Sequence, residues 1–415
     1  MEVLRTKVDF SVPQHFLYRV IEAPLRYQYN TSSFAHYWSK GSGVDLLARC
    51  AIQPNLELAR HKIPLLYQVD EAGDRLVSEL HAKVGFARGQ ELITDHILNP
   101  SVVPPLYRPL LSDFFENVAE DPSWLDWDLL AKGLSITQRS GISGLVVLRD
   151  YCLMGGYESA AINKPLIYTG ALKKGAVKRI SETVEFWVDV TGSEALKAGR
   201  IGRVAVMKTR MIHSFARINI LKHSNWDQRQ WGMPLNLWDM LATNLGFSIV
   251  FLNGLAKMGF RPLEEEVRGV LHLWKYIGYL LGIPPEILPD SEEEGIRELY
   301  YWTMTQAPGD EDSVALARAL QEEPVRAYYP TTALGRKFMR EVHLFYNHYL
   351  LGDHSCKLLQ LDSTWIGQLA LAAIWKNKWQ NRNEDRESVR TELAQQGRAR
   401  HEKVKEIYLK WNKKG

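Results

Sequence analysis

An all-α fold follows from three features of the sequence. Apolar residues recur at three- and four-residue spacing along most of the chain. Residues that start helices stand just ahead of those runs, and alternating strand patterns are few and short. Residues 1–120 mix short helical patterns with Pro and Gly punctuation, as in Asn99-Pro-Ser-Val-Val-Pro-Pro105, and read as a helical extension packed on a core. Asp121-Pro122-Ser123 then offers a capping carboxylate and an early proline for a helix over 124–134. Gly175 precedes Val177, Ile180, Val184, Trp187 and Val188, which share one helical face. Ser193 stands as the cap of a helix over 194–217. Asn236-Leu-Trp-Asp239 opens a helix that runs through Thr243 to Leu255. Pro289, Pro308-Gly309-Asp310 and Pro330 break the stretch 286–335, which also carries acidic runs, and long helical patterns return over 336–415. The zones group as an N-terminal extension (1–120), a central core (121–335), and C-terminal helices with a basic tail (336–415).

Composition narrows the function classes. Hydrophobic residues make up 46% and charged residues 24%, as in an ordinary globular chain that needs no disulfide framework or structural metal. Cys50, Cys152 and Cys356 lie far apart and form no CxxC pair, which points to a reduced compartment. The N-terminus lacks the apolar run of a secretory signal, so a cytoplasmic location is expected. No stretch reaches the roughly 18 apolar residues of a membrane span. The longest candidates, 245–255 and 276–287, are interrupted by Asn253, Gly278, Pro284 and Pro285 and read as buried helices.

Net charge is +3, yet residues 376–415 hold twelve Lys/Arg against six Asp/Glu. A basic tail can touch nucleic acid or an anionic membrane surface, but mixed signs such as Asn383-Glu-Asp-Arg-Glu-Ser-Val-Arg390 fit a solvated helix. No nucleic-acid partner is expected. Trp375 and Trp379, four residues apart, offer two readings: an aromatic face at the entrance for a lipid-like substrate, or ordinary core packing.

One segment concentrates chemistry. In Arg203-Val-Ala-Val-Met-Lys-Thr-Arg210-Met-Ile-His213-Ser-Phe-Ala-Arg217, residues Arg210, His213 and Arg217 fall within about 60° of one helical face. Two arginines beside one imidazole suit an anionic partner such as a haem, with its propionates and its iron. From spacing alone, a core histidine flanked by structural ion pairs is the more ordinary reading. Rival sites lack their ligands. There is no HxxxH or ExxH helix, and Gly41-Ser-Gly43 lacks the third glycine and the strand of a dinucleotide loop.

The surrounding segments resemble, in order, the catalytic domain of the latex-clearing-protein/MpaB oxygenase family. They are Asp126-Trp127-Asp128 with Gly133, Arg139-Ser-Gly141, Gly155-Gly-Tyr157, Asn163-Lys-Pro-Leu166 and Thr169-Gly170. Arg179-Ile-Ser-Glu-Thr183, Arg210-Met-Ile-His213 with Arg217, and Trp231-Gly-Met-Pro234 with Asn236 continue the series. Thr243 with Gly246-Phe-Ser248, and Tyr276-Ile-Gly-Tyr-Leu-Leu-Gly282, complete it, so the likeness spans 125–285. The resemblance implies a globin-like helical core around haem b, with His213 as the iron's ligand. It further implies Arg179 and Thr183 on a distal helix, Thr243 lining the pocket, and Arg210 and Arg217 pairing with propionates or supporting the proximal side. The implied chemistry is oxidation of an apolar, unsaturated or isoprenoid-like substrate by O2 or a peroxide, with C=C cleavage the family's best-known reaction. A haem or lipid carrier without turnover is the alternative. One departure stands out: rubber-cleaving members carry a lysine just before the distal threonine, and here that position is Glu182. A carboxylate accepts hydrogen bonds at neutral pH, so it replaces an iron-capping amine with a candidate acid/base or with a partner for Arg179 or Lys178.

Overall fold

The computed structural model describes residues 22–28, 32–116, 118, 120–327, 329–381 and 387–412. Helices dominate, and the described residues form no strand, only isolated bridges pairing Tyr27 with Gln306 and Ser159 with Pro308. The helices that build the core are α1 (Glu71–Leu98), α2 (Trp127–Arg139), α3 (Gly141–Val147), α4 (Ala176–Val190) and α5 (Ile201–His223). They continue with α6 (Leu237–Leu245), α7 (Glu264–Leu280), α8 (Glu292–Met304), α9 (Ala333–Leu351), α10 (Leu371–Asn381) and α11 (Glu387–Asn412). Two of them widen into π turns without losing direction: α3 runs into Leu148–Leu153, and α6 passes through Gly246–Val250 to Phe251–Lys257.

Local chemistry sets the helix starts. Asp70 caps α1 by accepting from the Gly73 amide, and Asn236 caps α6 by accepting from the Asp239 amide. Gly175 opens α4 at φ +83°, a backbone conformation that suits glycine. Two expected boundaries move. The helix expected over 124–134 begins at Trp127 instead, because the Asp126 carboxylate accepts from both the Asp128 and Leu129 amides. The helix expected from Ser193 begins at Ile201, after turns in which Glu194 (φ +56°) and Gly199 (φ +71°) leave helical space.

The largest apolar core draws Leu76, Val77 and Leu80 from α1, Trp187 from α4, and Met207 and Met211 from α5. Phe251, Trp274, Tyr276, Tyr346 and Ile374 complete it from later in the chain. Trp187, Phe247 and Trp274 stack at its centre, with centroids 4.7–6.0 Å apart. The most extensive helix pair is α2 on α7, and it closes at Gly133 and Gly269. A Cβ on Gly133 would lie 2.3 Å from the Gly269 carbonyl, so neither position has room for a side chain. The stretch 245–255 lies inside α6 and its continuation, where most side chains are buried.

The basic tail is not wholly solvated. Ala394, Gly397, His401 and Tyr408 form a buried stripe along α11, packed on α2, α3 and α4. A Cβ on Gly397 would collide with the Gln138 carbonyl, and the His401 ring bonds the Gly141 carbonyl at 2.9 Å. Trp375 and Trp379 are 68% and 66% exposed, so the core reading of that pair is overturned. The face of α10 that packs inward carries Ile374 and Asn377.

Candidate functional site

His213 sits mid-way along α5, and its neighbours on that helix are locked in place. The Arg210 guanidinium grips the Asp70 carboxylate through Nε (2.6 Å) and Nη2 (2.8 Å). One face later, Arg217 donates from Nε and Nη2 to Asp74 (2.7–3.1 Å) and from Nη1 to the Leu235 carbonyl (2.8 Å). Both acids stand at the start of α1, and the two helices can approach because Gly73 faces Ser214; a Cβ there would lie 2.6 Å from the serine oxygen. Gly282, at φ +91°, leaves the same space open over the Asp70–Arg210 pair. Both guanidiniums are therefore committed to carboxylates and carbonyls. These pairs tie α5 to the start of α1 on either side of His213.

His213 itself is part-buried, and its Nδ1 is sealed from solvent with no hydrogen-bond partner. Burial, reinforced by the Arg217 charge, lowers its pKa to about 4, so the ring is neutral at physiological pH. A neutral imidazole keeps a lone pair for a metal. An imidazole-held haem asks for such a ring and for open space within the helical core.

Open space also lies against α6. Thr243 is the one exposed residue in Leu237–Leu245, where every other side chain is buried. One turn on, a Cβ added to Gly246 would meet nothing within 4 Å. Thr243 donates to the Asp239 carbonyl (2.9 Å), and Asp239 is fixed by Arg26, Asn236 and Trp302. The Thr243 oxygen thus keeps its lone pairs on a rigid mount.

Arg179, Glu182, Thr183 and Phe186 share the side of α4 opposite the buried Val177, Ser181 and Val188. Arg179 donates to the Tyr157 hydroxyl at 2.6 Å and lies over that ring at 5.2 Å. Thr183 donates to the Arg179 carbonyl (2.9 Å), one turn before Trp187 stacks on Phe247 of the α6 continuation. Glu182 is exposed, and no ion pair with Arg179 or Lys178 forms. The site residues therefore occupy three neighbouring helices: α5 packs on α4, and α4 meets the α6 continuation through Trp187 and Phe247.

Residues 142–376 match the family of the ER-bound oxygenase mpaB/B'/rubber oxygenase, catalytic domain. The chain belongs to this family. Every site residue named above on α4, α5 and α6 lies inside the family segment, whereas Asp70 and Asp74 lie outside it. The chain is similar to the rubber oxygenase of Streptomyces sp. (strain K30), 25% identical over 227 residues, which are 54% of this chain and 55% of that protein. The match thus spans little more than half the length of that curated relative. The fold is similar to that of latex clearing protein in its closed state, with a TM-score of 0.64 at 18% identity, covering 81% of this chain and 91% of the other.

Asp70 and Asp74 are supporting residues that sequence reasoning missed, and Tyr157, part of a matching segment there, was given no role. An acidic pair four residues apart at a helix start was visible as Asp70-Glu-Ala-Gly-Asp74, but nothing local tied it to arginines about 140 positions away. Among the described residues no group of three or more His, Cys, Asp or Glu is arranged to hold a metal ion. A haem iron needs only one imidazole, and the neutral His213 ring, with its Nδ1 unpartnered, fits that need.

Proposed function

We propose that this protein is a haem-b-dependent oxygenase acting on an apolar unsaturated substrate, with His213 as the protein ligand of the iron. One observation carries the reading. Inside the oxygenase-family segment stands a single neutral imidazole with a sealed, unpartnered Nδ1, on a helix pinned by one buried and one half-buried arginine–carboxylate pair. When bound, the haem would supply the oxygen chemistry, and the protein would supply the ligand, the pocket and the orientation.

The residues divide that work. Asp70 and Asp74 pair with the arginines of the His213 helix and tie it to the start of α1. Tyr157 fixes the Arg179 side chain, leaving a cation on the α4 face that also presents Thr183. Thr183 and Thr243 each spend their proton on a carbonyl of their own helix and present oxygen lone pairs outward. Glu182, exposed beside Thr183, offers a carboxylate able to accept a proton where rubber-cleaving members are expected to place an amine. The named activity of the similar Streptomyces protein supports an isoprenoid-like substrate. A small or medium unsaturated lipid fits the proposal, with O2 as the first oxidant to test and peroxide as the second.

The test is haem quantification of the purified protein, followed by oxygen uptake with unsaturated lipids. We expect bound haem and substrate-dependent uptake that is lost in His213→Ala. Bound haem without uptake, with either O2 or peroxide, would assign the chain to haem or lipid carriage instead.

A further inference from the structure

Large apolar side chains on an α-helix ordinarily face the core, and α10 inverts that arrangement. At 100° per residue, Leu371, Trp375, Trp379 and Ala372 fall within about 100° of one face, and that face points to solvent. The preceding turn adds Trp365 (79% exposed) and Leu369 (68% exposed). The opposite side of the helix is firmly seated. Ile374 is 2% exposed, and the Asn377 amide donates to the Met258 carbonyl and the Ser143 hydroxyl, both at 3.0 Å. The outward aromatics are therefore held there by the fold.

Charge borders this face. Lys376 and Lys378 lie at about 90° and about 70° from the centre of the apolar stripe, one on each side. The Lys378 ammonium sits 5.5 Å from the centre of the Trp375 ring. Between α10 and α11 opens a crevice of about 180 Å³, with Val146 and Phe260 in its wall and Lys376, Gln380, Gln396 and Arg400 among its polar lining. Neither Lys376 nor Arg400 has a carboxylate partner among the described residues.

We propose that this face docks on an anionic phospholipid surface. Tryptophan rings settle at the headgroup level of a bilayer, with the apolar body inward and the indole N–H toward water. Flanking lysines extend along the apolar surface and leave their charge among the phosphates. A helix of this kind lies in the plane of the interface, which matches a helix anchored to the protein along its inner side. Lys376 and Arg400, both in the lining of the crevice beside this helix, supply further cations for the lipid phosphates. A second copy of the chain is a poorer occupant, because a two-fold contact through this face would set the same lysines against one another. The inference is independent of the haem.

Co-sedimentation of the full chain with vesicles tests it, using phosphatidylcholine alone and phosphatidylcholine mixed with phosphatidylglycerol. We expect clear partition onto the mixed vesicles, weakened at least about tenfold in Trp375→Ala/Trp379→Ala and in Lys376→Glu/Arg400→Glu. Thermal midpoints should stay unchanged, since these side chains are exposed. Failure to bind mixed vesicles, equal binding to both compositions, or wild-type binding by the tryptophan variant would overturn the proposal. So would concentration-dependent dimerisation that the tryptophan variant abolishes in the absence of vesicle binding.

Discussion

At the scale of single residues, His213 owes its protonation state to its burial and to the charges around it. Burial and Arg217 keep the ring neutral, and Asp74 removes the penalty of an unpaired arginine beside it. The Arg210–Asp70 pair is the more buried of the two and the better target for measurement. Breaking a buried pair strands a charge, so Arg210→Ala and Asp70→Asn should each lower unfolding stability by about 3 kcal/mol. The double variant should lose less than the sum, because the two losses are one interaction. Strict additivity in denaturant unfolding would show that the pair is not coupled.

Among elements, the tightest constraint is the crossing of α2 and α7. Gly269 faces the Gly133 backbone at 2.3 Å from where a Cβ would stand, and backbone cannot step aside as a side chain can. Gly269→Val should therefore lower stability by about 3 kcal/mol or more, whereas Gly246→Ala, placed where nothing lies within 4 Å, should cost far less. Equal thermal midpoints for the two variants would contradict this account. The sequence showed these helices but not their seams. Periodicity located α4 and α6, and their caps Gly175 and Asn236 were legible because capping chemistry is local. It misplaced the starts of α2 and α5, where a competing cap at Asp126 and positive φ at Glu194 decide the boundary. It could not assign Trp375 and Trp379 a side, because spacing gives a face and only tertiary packing tells which way that face points.

Across the whole molecule, the last helix binds segments that sequence reading kept apart. Tyr408 donates to Glu323 at 2.9 Å, and Glu323 pairs with Arg149 on the π turn after α3. Lys405 bonds Asp189 on α4, and His401 bonds the Gly141 carbonyl. Such partners lie 85 to 260 positions apart, so no local pattern announces them. His401 is fully buried, and desolvation lowers its pKa to about 4. In the unfolded chain the ring takes up a proton near pH 6.5, while the folded chain resists until about pH 4. Its contribution is therefore complete above pH 6.5 and is lost as pH falls toward 4, by about 3 kcal/mol. His401→Gln keeps a donor for the Gly141 carbonyl and removes the titration. Its stability should fall less steeply between pH 6.5 and 4.5 than that of the wild type, as read by urea midpoints. Parallel pH profiles would contradict the assignment. Glu158, buried with its carboxyl pKa raised to about 7, titrates in the opposite sense and supplies the internal control.

The central claim is that the α5 imidazole of His213 holds a haem. The visible absorption spectrum of the purified, haem-supplemented protein tests it most directly, compared with that of His213→Ala. The account predicts a Soret band in the wild type and its loss or strong weakening in the variant, with the fold intact by circular dichroism. A wild type without a Soret band, or a variant with unchanged ferric and ferrous spectra, would contradict it.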